Sequence, residues 1–260
     1  MTAKDGLRKM LFALDVGNTN INMALLDDDK VLKKEKVTSK GMPADALKGT
    51  ISQFVENYKI DGIVCANVVK ELESLLQTSL KDFAEEPLFI NAYMDIGYKI
   101  KDARKASVGA DIIATNAGAY ALYGDCLVVD TGTATTFQVI KGGEFKGCVI
   151  ASGLYMGVQA LYDFTSLLPK ITVEKPQSVL GTDTVGCMQS GAFYGHAGMI
   201  EGIIRRIKEE VAAPLTVVAT GGAAEMINEV LEEPFDIIDN DLIFKGLKII
   251  YDKNRLKVTG

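Results

Sequence analysis

LFALDVGNTN (residues 11–20) sets four apolar residues against Asp15, then passes through Gly17 into Asn18, Thr19 and Asn20. An apolar run that stops at a carboxylate and turns at once through a glycine reads as a buried strand whose end is reserved for something polar. The same grammar returns in CLVVDTGTATT (126–136), with Asp130, Gly132, Thr133, Thr135 and Thr136. With Asp15 laid over Asp130, Gly17 falls on Gly132. The acidic turn DDDK (27–30) then falls on KGGE (141–144).

The elements around the two stretches follow one order. In the first half, 9–16, 21–26 and 31–37 read as three strands, the last two forming a hairpin. Residues 43–57 carry helical spacing, with Leu47, Ile51, Phe54 and Val55 on one face. Strand 62–68, helix 70–83 and strand 87–91 follow. An irregular basic segment then leads to a small-residue helix, GADIIATNAGAYALYG (109–124). The second half gives strands 126–130, 135–140 and 144–150 and helix 153–166. A loop through Pro169 and Pro176 precedes a long helical stretch, 182–211, whose glycines mark 191–198 as the place for a break. Strand 215–220, helix 223–232, strand 235–239 and a closing helix 241–254 complete the chain. The expectation is an α/β protein of two similar halves, 1–123 and 124–260. Each half has a mixed sheet, its first three strands antiparallel and its later ones parallel, flanked by helices.

Glycine lets a backbone approach a ligand closely, and successive N–H groups in such a turn can bind phosphate oxygens. Asn18, Thr19, Thr133, Thr135 and Thr136 add neutral donors, and an aspartate at a strand end offers a hard oxygen to a cation. The competing reading is a pair of ordinary Asx-type turns. Neither G-x-x-x-x-G-K-[ST] nor G-x-G-x-x-G occurs. TGGAAEMI (220–227) follows a strand and opens a helix, where its glycines serve either a nucleotide or packing.

Composition excludes several classes. The net charge of −6, with no standout basic cluster, argues against nucleic acid. No window approaches the length of a membrane span, and MTAKDGLRKMLFALD (1–15) does not read as a signal peptide, so a cytoplasmic protein is expected. Cys65, Cys126, Cys148 and Cys187 lie far apart among apolar or small neighbours and read as buried free thiols. The single histidine, His196, reads as a helix-face residue; it can build neither a common zinc site nor, without G-x-S-x-G, a recognisable Ser-His-Asp triad.

Twin D-x-G-x-T loops on duplicated halves resemble the acetate and sugar kinase, Hsc70 and actin superfamily, which implies a duplicated ribonuclease H-like (actin-like ATPase) fold. Within it, DVGNTN (15–20), VGADIIATNAGA (108–119) and DTGTATT (130–136) resemble type III pantothenate kinase, as do LYDFTSLLP (161–169) and GTDTVGCMQSG (181–191). The resemblance covers nearly the whole chain. It implies an ATP-dependent kinase for pantothenate, with ATP as co-substrate, Mg2+ and a monovalent cation (K+ or NH4+), and a homodimer. Carried over by residue, Asp15, Gly17, Asn18, Thr19, Asn20 and Asn22 hold ATP phosphates, Asp15 also holding magnesium through water. Gly132 and Thr133 contact ATP, and Asp130 ligates the monovalent cation. Tyr98, Gly109, Ala110, Asp111, Ile112 and Thr184 meet pantothenate, with Asp111 as the base. From the residues alone, Asp111 reads first as an acid placed to favour the helix dipole.

The chain departs from that family's pattern where Ile112 replaces an arginine. It also lacks a proline upstream of Gly109, carries Ser152 for another proline, and has Asp183 where asparagine is usual. Two alternatives therefore stay open: an ATP-binding paralogue with little or no kinase activity, and a kinase for another small alcohol. Lys101, Arg104 and Lys105 are candidates to replace the missing charge.

Overall fold

The computed structural model describes residues 9–39, 41–84 and 86–255; the stretch 1–8 that bears on a leader sequence lies outside them. The described chain divides into two compact units. One takes the residues up to Leu122 and those from Asp241 on, and the other is Tyr123–Asn240.

The first unit is built on β1 (Lys9–Val16), β2 (Asn20–Asp27), β3 (Lys30–Thr38), β4 (Lys59–Asn67) and β5 (Leu88–Phe89), in the sheet order β3-β2-β1-β4-β5. β1 and β2, and β2 and β3, pair antiparallel, while β4 lies parallel to β1 and β5 to β4. β1 is central and buried on both faces, which is why Leu11 to Leu14 run without a polar break. On one face Met10, Phe12, Leu14, Ile21, Met23 and Leu25 pack with Leu47, Ile51 and Phe54 of helix α1 (Ala44–Val55). Those three helix positions recur at i, i+4 and i+7, and full burial of each is worth about 1.5–3 kcal/mol. Helix α2 (Glu73–Leu80) closes the same side with Leu76 and Leu80.

The rest of this unit is α3 (Asp102–Lys105), a single turn within the segment expected to be irregular, and α4 (Ala110–Tyr123).

In the second unit, β6 (Cys126–Thr131), β7 (Ala134–Lys141), β8 (Glu144–Ser152), β9 (Thr216–Thr220) and β10 (Ile237–Ile238) form a sheet in the order β10-β9-β6-β7-β8. Strand for strand, this is the first sheet again, with the same directions. β2 and β7 even alternate burial in the same sequence of positions. Two-residue turns, Asp28–Asp29 and Gly142–Gly143, join the matching hairpins. Helices α5 (Leu154–Asp163), α6 (Thr184–Val211) and α7 (Ala224–Asn228) belong to this unit. Ala197, Ile200 and Ile204 of α6 pack on Leu127, Val129, Phe137 and Val217.

The closing helix, α8 (Leu242–Arg255), groups with the first unit rather than with the 124–260 half to which its sequence position assigned it. The reason is close packing. A Cβ added at Gly246 would sit 1.8 Å from the Ala114 carbonyl oxygen, and one at Gly118 would sit 2.5 Å from that of Leu242. α4 and α8 therefore cross backbone on backbone. Tyr251 fills the space that glycine leaves at Gly62, and Arg255 reaches Asp61 at 3.1 Å.

Three other readings change. α6 runs unbroken through Gly191–Gly198: each interior glycine costs about 1 kcal/mol, offset by the buried Met188, Phe193, Ala197, Ile200 and Ile204. The helix expected over 223–232 is short, ending at Asn228. Cys65 and Cys126 are buried but Cys148 and Cys187 are exposed, the first on the sheet-edge strand β8 and the second in the first turns of α6. His196 lies on a face of α6, as read, and that face is the buried one.

Gly246→Ala should cost about 3 kcal/mol or more by forcing two helix backbones apart, lowering the thermal midpoint by roughly 6–12 °C. Gly198→Ala meets nothing within 4 Å of its new Cβ, and should raise stability by about 0.5–1 kcal/mol. Scanning calorimetry of both variants checks the pair.

Candidate active site

Asp15 is the last carboxylate-bearing position of β1. Its neighbour on the parallel side is Ala66, and on the antiparallel side Asn22, whose Nδ2 donates to Asp15 Oδ2 at 2.8 Å. The turn that follows is tied inward. Gly17 N–H donates to the Asn20 carbonyl at 2.9 Å. Ser39 donates twice, its N–H to the Thr19 carbonyl at 3.0 Å and its hydroxyl to the Gly17 carbonyl at 2.8 Å. The loop's carbonyls are thus engaged with the end of β3, while Asn18 and Thr19 remain exposed.

Asp111 occupies the first turn of α4, and Oδ1 accepts the Ile112 N–H at 2.8 Å. A Cβ on Gly109 would come within 2.4 Å of that Oδ1, so the glycine is required by the carboxylate's position. Tyr98 is buried against the same helix, its hydroxyl donating to the Ile113 carbonyl at 3.4 Å. Burial pushes the Asp15 carboxyl up to about 6, with Asn22 pulling it down, the charge of Asp111 raising it further, and Lys36 lowering it. Burial also raises Asp111, opposed by the N–H of Ile112. Burial holds the Tyr98 phenol well above its ordinary range. The first unit thus brings Asp15, Asn22, Asp111, Gly109 and Tyr98 to one locality, two carboxylates close enough to feel each other.

The second unit repeats the loop. Asp130, the penultimate residue of β6, lies opposite Thr136, and Thr131 Oγ1 donates to the Thr220 carbonyl at 2.9 Å. Gly132 and Thr133 are exposed, as Asn18 and Thr19 are. Two glycines beyond the sequence motif press on this loop. A Cβ at Gly153 would lie 2.2 Å from the Thr133 carbonyl oxygen. One at Gly221, which has φ +93, would lie 2.7 Å from Asp130 Oδ1. Gly221 of the TGG stretch is therefore a packing glycine against the loop. Of the threonines read as donors, Thr135 is fully buried with its hydroxyl 3.1 Å from His196 Nε2, and Thr136 accepts from Gln138 at 2.7 Å. Burial lowers the pKa of His196, which keeps that pair neutral. Thr184 is exposed at the start of α6, behind Asp183, which caps the helix by accepting the Gly186 N–H at 2.8 Å. It is the one candidate acceptor contact that the first unit does not contain.

Among the described residues no group of three or more His, Cys, Asp and Glu side chains could hold a metal ion. Carboxylates too few to form a metal cage, beside exposed, glycine-bearing turns, suit a ligand that brings its own oxygens, as a nucleotide polyphosphate does.

The family model for type III pantothenate kinase matches residues 11–206. The chain belongs to the type III pantothenate kinase family. A type III pantothenate kinase from Hyphomonas neptunium is 36% identical over 256 residues, covering 95% of this chain and 100% of that protein. Among solved structures, a Baf family transcriptional activator from Campylobacter jejuni aligns with TM-score 0.58 at 24% identity, covering 94% of this chain and 99% of the other. MreB 5 of Spiroplasma citri bound to AMPPNP aligns with TM-score 0.56 at 12% identity, covering 96% and 98%. These two establish the fold alone, a duplicated ribonuclease H-like architecture that this pantothenate kinase family member shares with actin-like proteins.

The rise of Asp15 from 3.8 to about 6 means that the folded, ligand-free chain binds this proton more tightly than the unfolded chain does. Its contribution to stability is therefore present at low pH and lost as pH rises between about 4 and 6, by roughly 3 kcal/mol. Asp15→Asn should accordingly unfold at a higher temperature than wild type at pH 7.5 without nucleotide or metal, and the gap should shrink as the pH falls toward 4.5. Thermal denaturation across that range checks it.

Proposed function

We propose that this chain transfers the γ-phosphate of ATP to the primary hydroxyl of pantothenate, giving 4′-phosphopantothenate, the first step of coenzyme A biosynthesis. One observation carries the reading: Asp15, from which a phosphate-type loop departs, and a half-buried second carboxylate, Asp111, lie in one unit and interact. The loop would hold the donor and Asp111 would accept the proton of the attacking hydroxyl. Burial raises Asp111 and makes it a stronger base than a solvated aspartate. Gly17, Asn18, Thr19, Asn20 and Asn22 in one loop region, and Gly132 and Thr133 in the other, would meet the phosphates through backbone and side-chain donors. Tyr98, Gly109, Ala110, Ile112 and Thr184 would contact pantothenate. The two compact units would be the two actin-like halves, with α8 completing the first.

Asp15, bonded to a carboxamide and outside any carboxylate cage, fits Mg2+, which keeps several waters and leans on substrate phosphates. Asp130, on a turn packed by Gly153 and Gly221, would hold K+ or NH4+. When bound, these cations offset the charge of the transferring phosphoryl group. No described helix is long and apolar enough to cross a membrane, in keeping with a cytoplasmic enzyme. A homodimer is supported by the second unit, which exposes Ile150, Tyr155, Met156, Phe164, Leu167 and Leu180, with Phe164 and Leu167 87% and 90% accessible. Apolar surface on that scale asks for a partner.

With ATP, Mg2+, K+ and pantothenate, the purified protein should release ADP and form phosphopantothenate, followed by mass. Asp111→Asn should reduce turnover by about 10²–10⁴-fold while nucleotide binding persists. Turnover only with another alcohol, or nucleotide binding without turnover, would overturn the pantothenate assignment. Leu167→Asp should convert a dimer to a monomer in light scattering after size exclusion.

A further inference from the structure

The strand register sets a row of side chains across the first sheet. Asp15 of β1 lies opposite Asn22 of β2, and Asn22 lies opposite Lys36 of β3. Directly opposed residues of antiparallel strands project from the same face, so the three share a side. Lys34, two residues along β3 and therefore on that side too, is bonded to Asp241 just before α8. Lys33 projects from the other face, where its ammonium meets the Phe54 carbonyl at 2.8 Å and lies 4.3 Å from the Phe54 ring centroid. Two of the lysines of KVLKKEK (30–36) thus have structural partners on α1 and beside α8. The exposed Lys36 ends the row that begins at Asp15.

Two strand spacings separate the Lys36 and Asp15 backbones, about 10 Å. An extended lysine covers roughly 6 Å of that, so its ammonium can lie over Asn22 and face whatever sits against Asp15. The two sites interact, since Lys36 lowers the Asp15 carboxyl. The second sheet provides the comparison. Its equivalent row is Asp130, Thr136 and Ile150, ending in a 65% exposed hydrophobe. The duplicated fold therefore does not require a cation at this position.

We propose that Lys36 is a further phosphate-binding residue of the kinase site, meeting the terminal phosphates of the nucleotide held at the Asp15 loop. This rests on the kinase reading above. It would bring a side-chain cation to a locality where Asp15 and Asp111 are both anions and the loop's own donors are neutral. A trianionic γ-phosphoryl region is stabilised by a cation placed before reaction. The competing role is that of an edge-strand lysine that discourages strand-to-strand association.

The test is calorimetric binding of AMPPNP and of ADP, each with Mg2+, to wild type, Lys36→Met and Lys36→Arg, with steady-state kinetics alongside. Lys36→Met should weaken AMPPNP by about tenfold or more, as expected for a lost charge-assisted contact, and weaken ADP less. It should raise KM for ATP or lower kcat while KM for pantothenate stays within twofold of wild type, and Lys36→Arg should recover most of the loss. Lys36→Gln repeats the measurement should the methionine variant associate or misfold. Unchanged AMPPNP affinity and an unchanged KM for ATP in a folded variant would overturn the proposal. So would a loss that arginine does not rescue. A wild-type protein that binds AMPPNP but never phosphorylates pantothenate would sink the kinase reading alone, and the binding data would still decide Lys36.

Discussion

A carboxylate at the buried end of the central strand is the constraint around which the first unit is arranged. Asp15 sits where an apolar residue would cost nothing, and burial makes its charged form unfavourable. The neighbourhood answers with a matched donor from Asn22, a loop whose carbonyls are turned aside by Ser39, and a lysine at the end of the row. Asp111 works against it, bringing a second negative charge to the same locality. An arrangement that costs stability in the unliganded protein has the character of a functional site rather than of a turn.

The two units share strand order, strand direction, hairpin length and the acid-glycine turn, yet they spend these features differently. The first row carries Asp15, Asn22 and Lys36; the second carries Asp130, Thr136 and Ile150. The first loop is held by hydroxyl and amide bonds from Ser39. The second is held by the bare backbones of Gly153 and Gly221. Duplication supplied one frame, and substitutions at matching positions made one copy cationic and polar and the other apolar at its edge. Further along the chain, α5 and the loop after it also expose apolar side chains.

Much of this was legible in the chain. Strand periodicity and the repeated Asp-x-Gly turn are local signals, so the ten strands, the mixed sheets and the positions of Asp15, Asp130 and Asp111 could be read directly. Signals that depend on neighbours misled. Glycines in 191–198 looked like a helix break, but the helix is held by what its other face buries. Cys148 looked like a core thiol because its sequence neighbours are apolar, and it faces outward on an edge strand. Thr135 looked like a ligand donor, but the alternation of β7 turns it inward to His196.

The sequence by itself determined the element order, the duplication and the chemical types offered at each strand end, because those follow from patterns a few residues long. Only the tertiary structure decided that the last helix completes the first unit, since that rests on glycines 128 positions apart, Gly118 and Gly246, letting two backbones touch. It alone decided that Lys36 shares a face with Asp15 and that Gly153 and Gly221 brace the second loop. Pairing register and close backbone approach are properties of surfaces brought together from distant segments, and no local pattern encodes them.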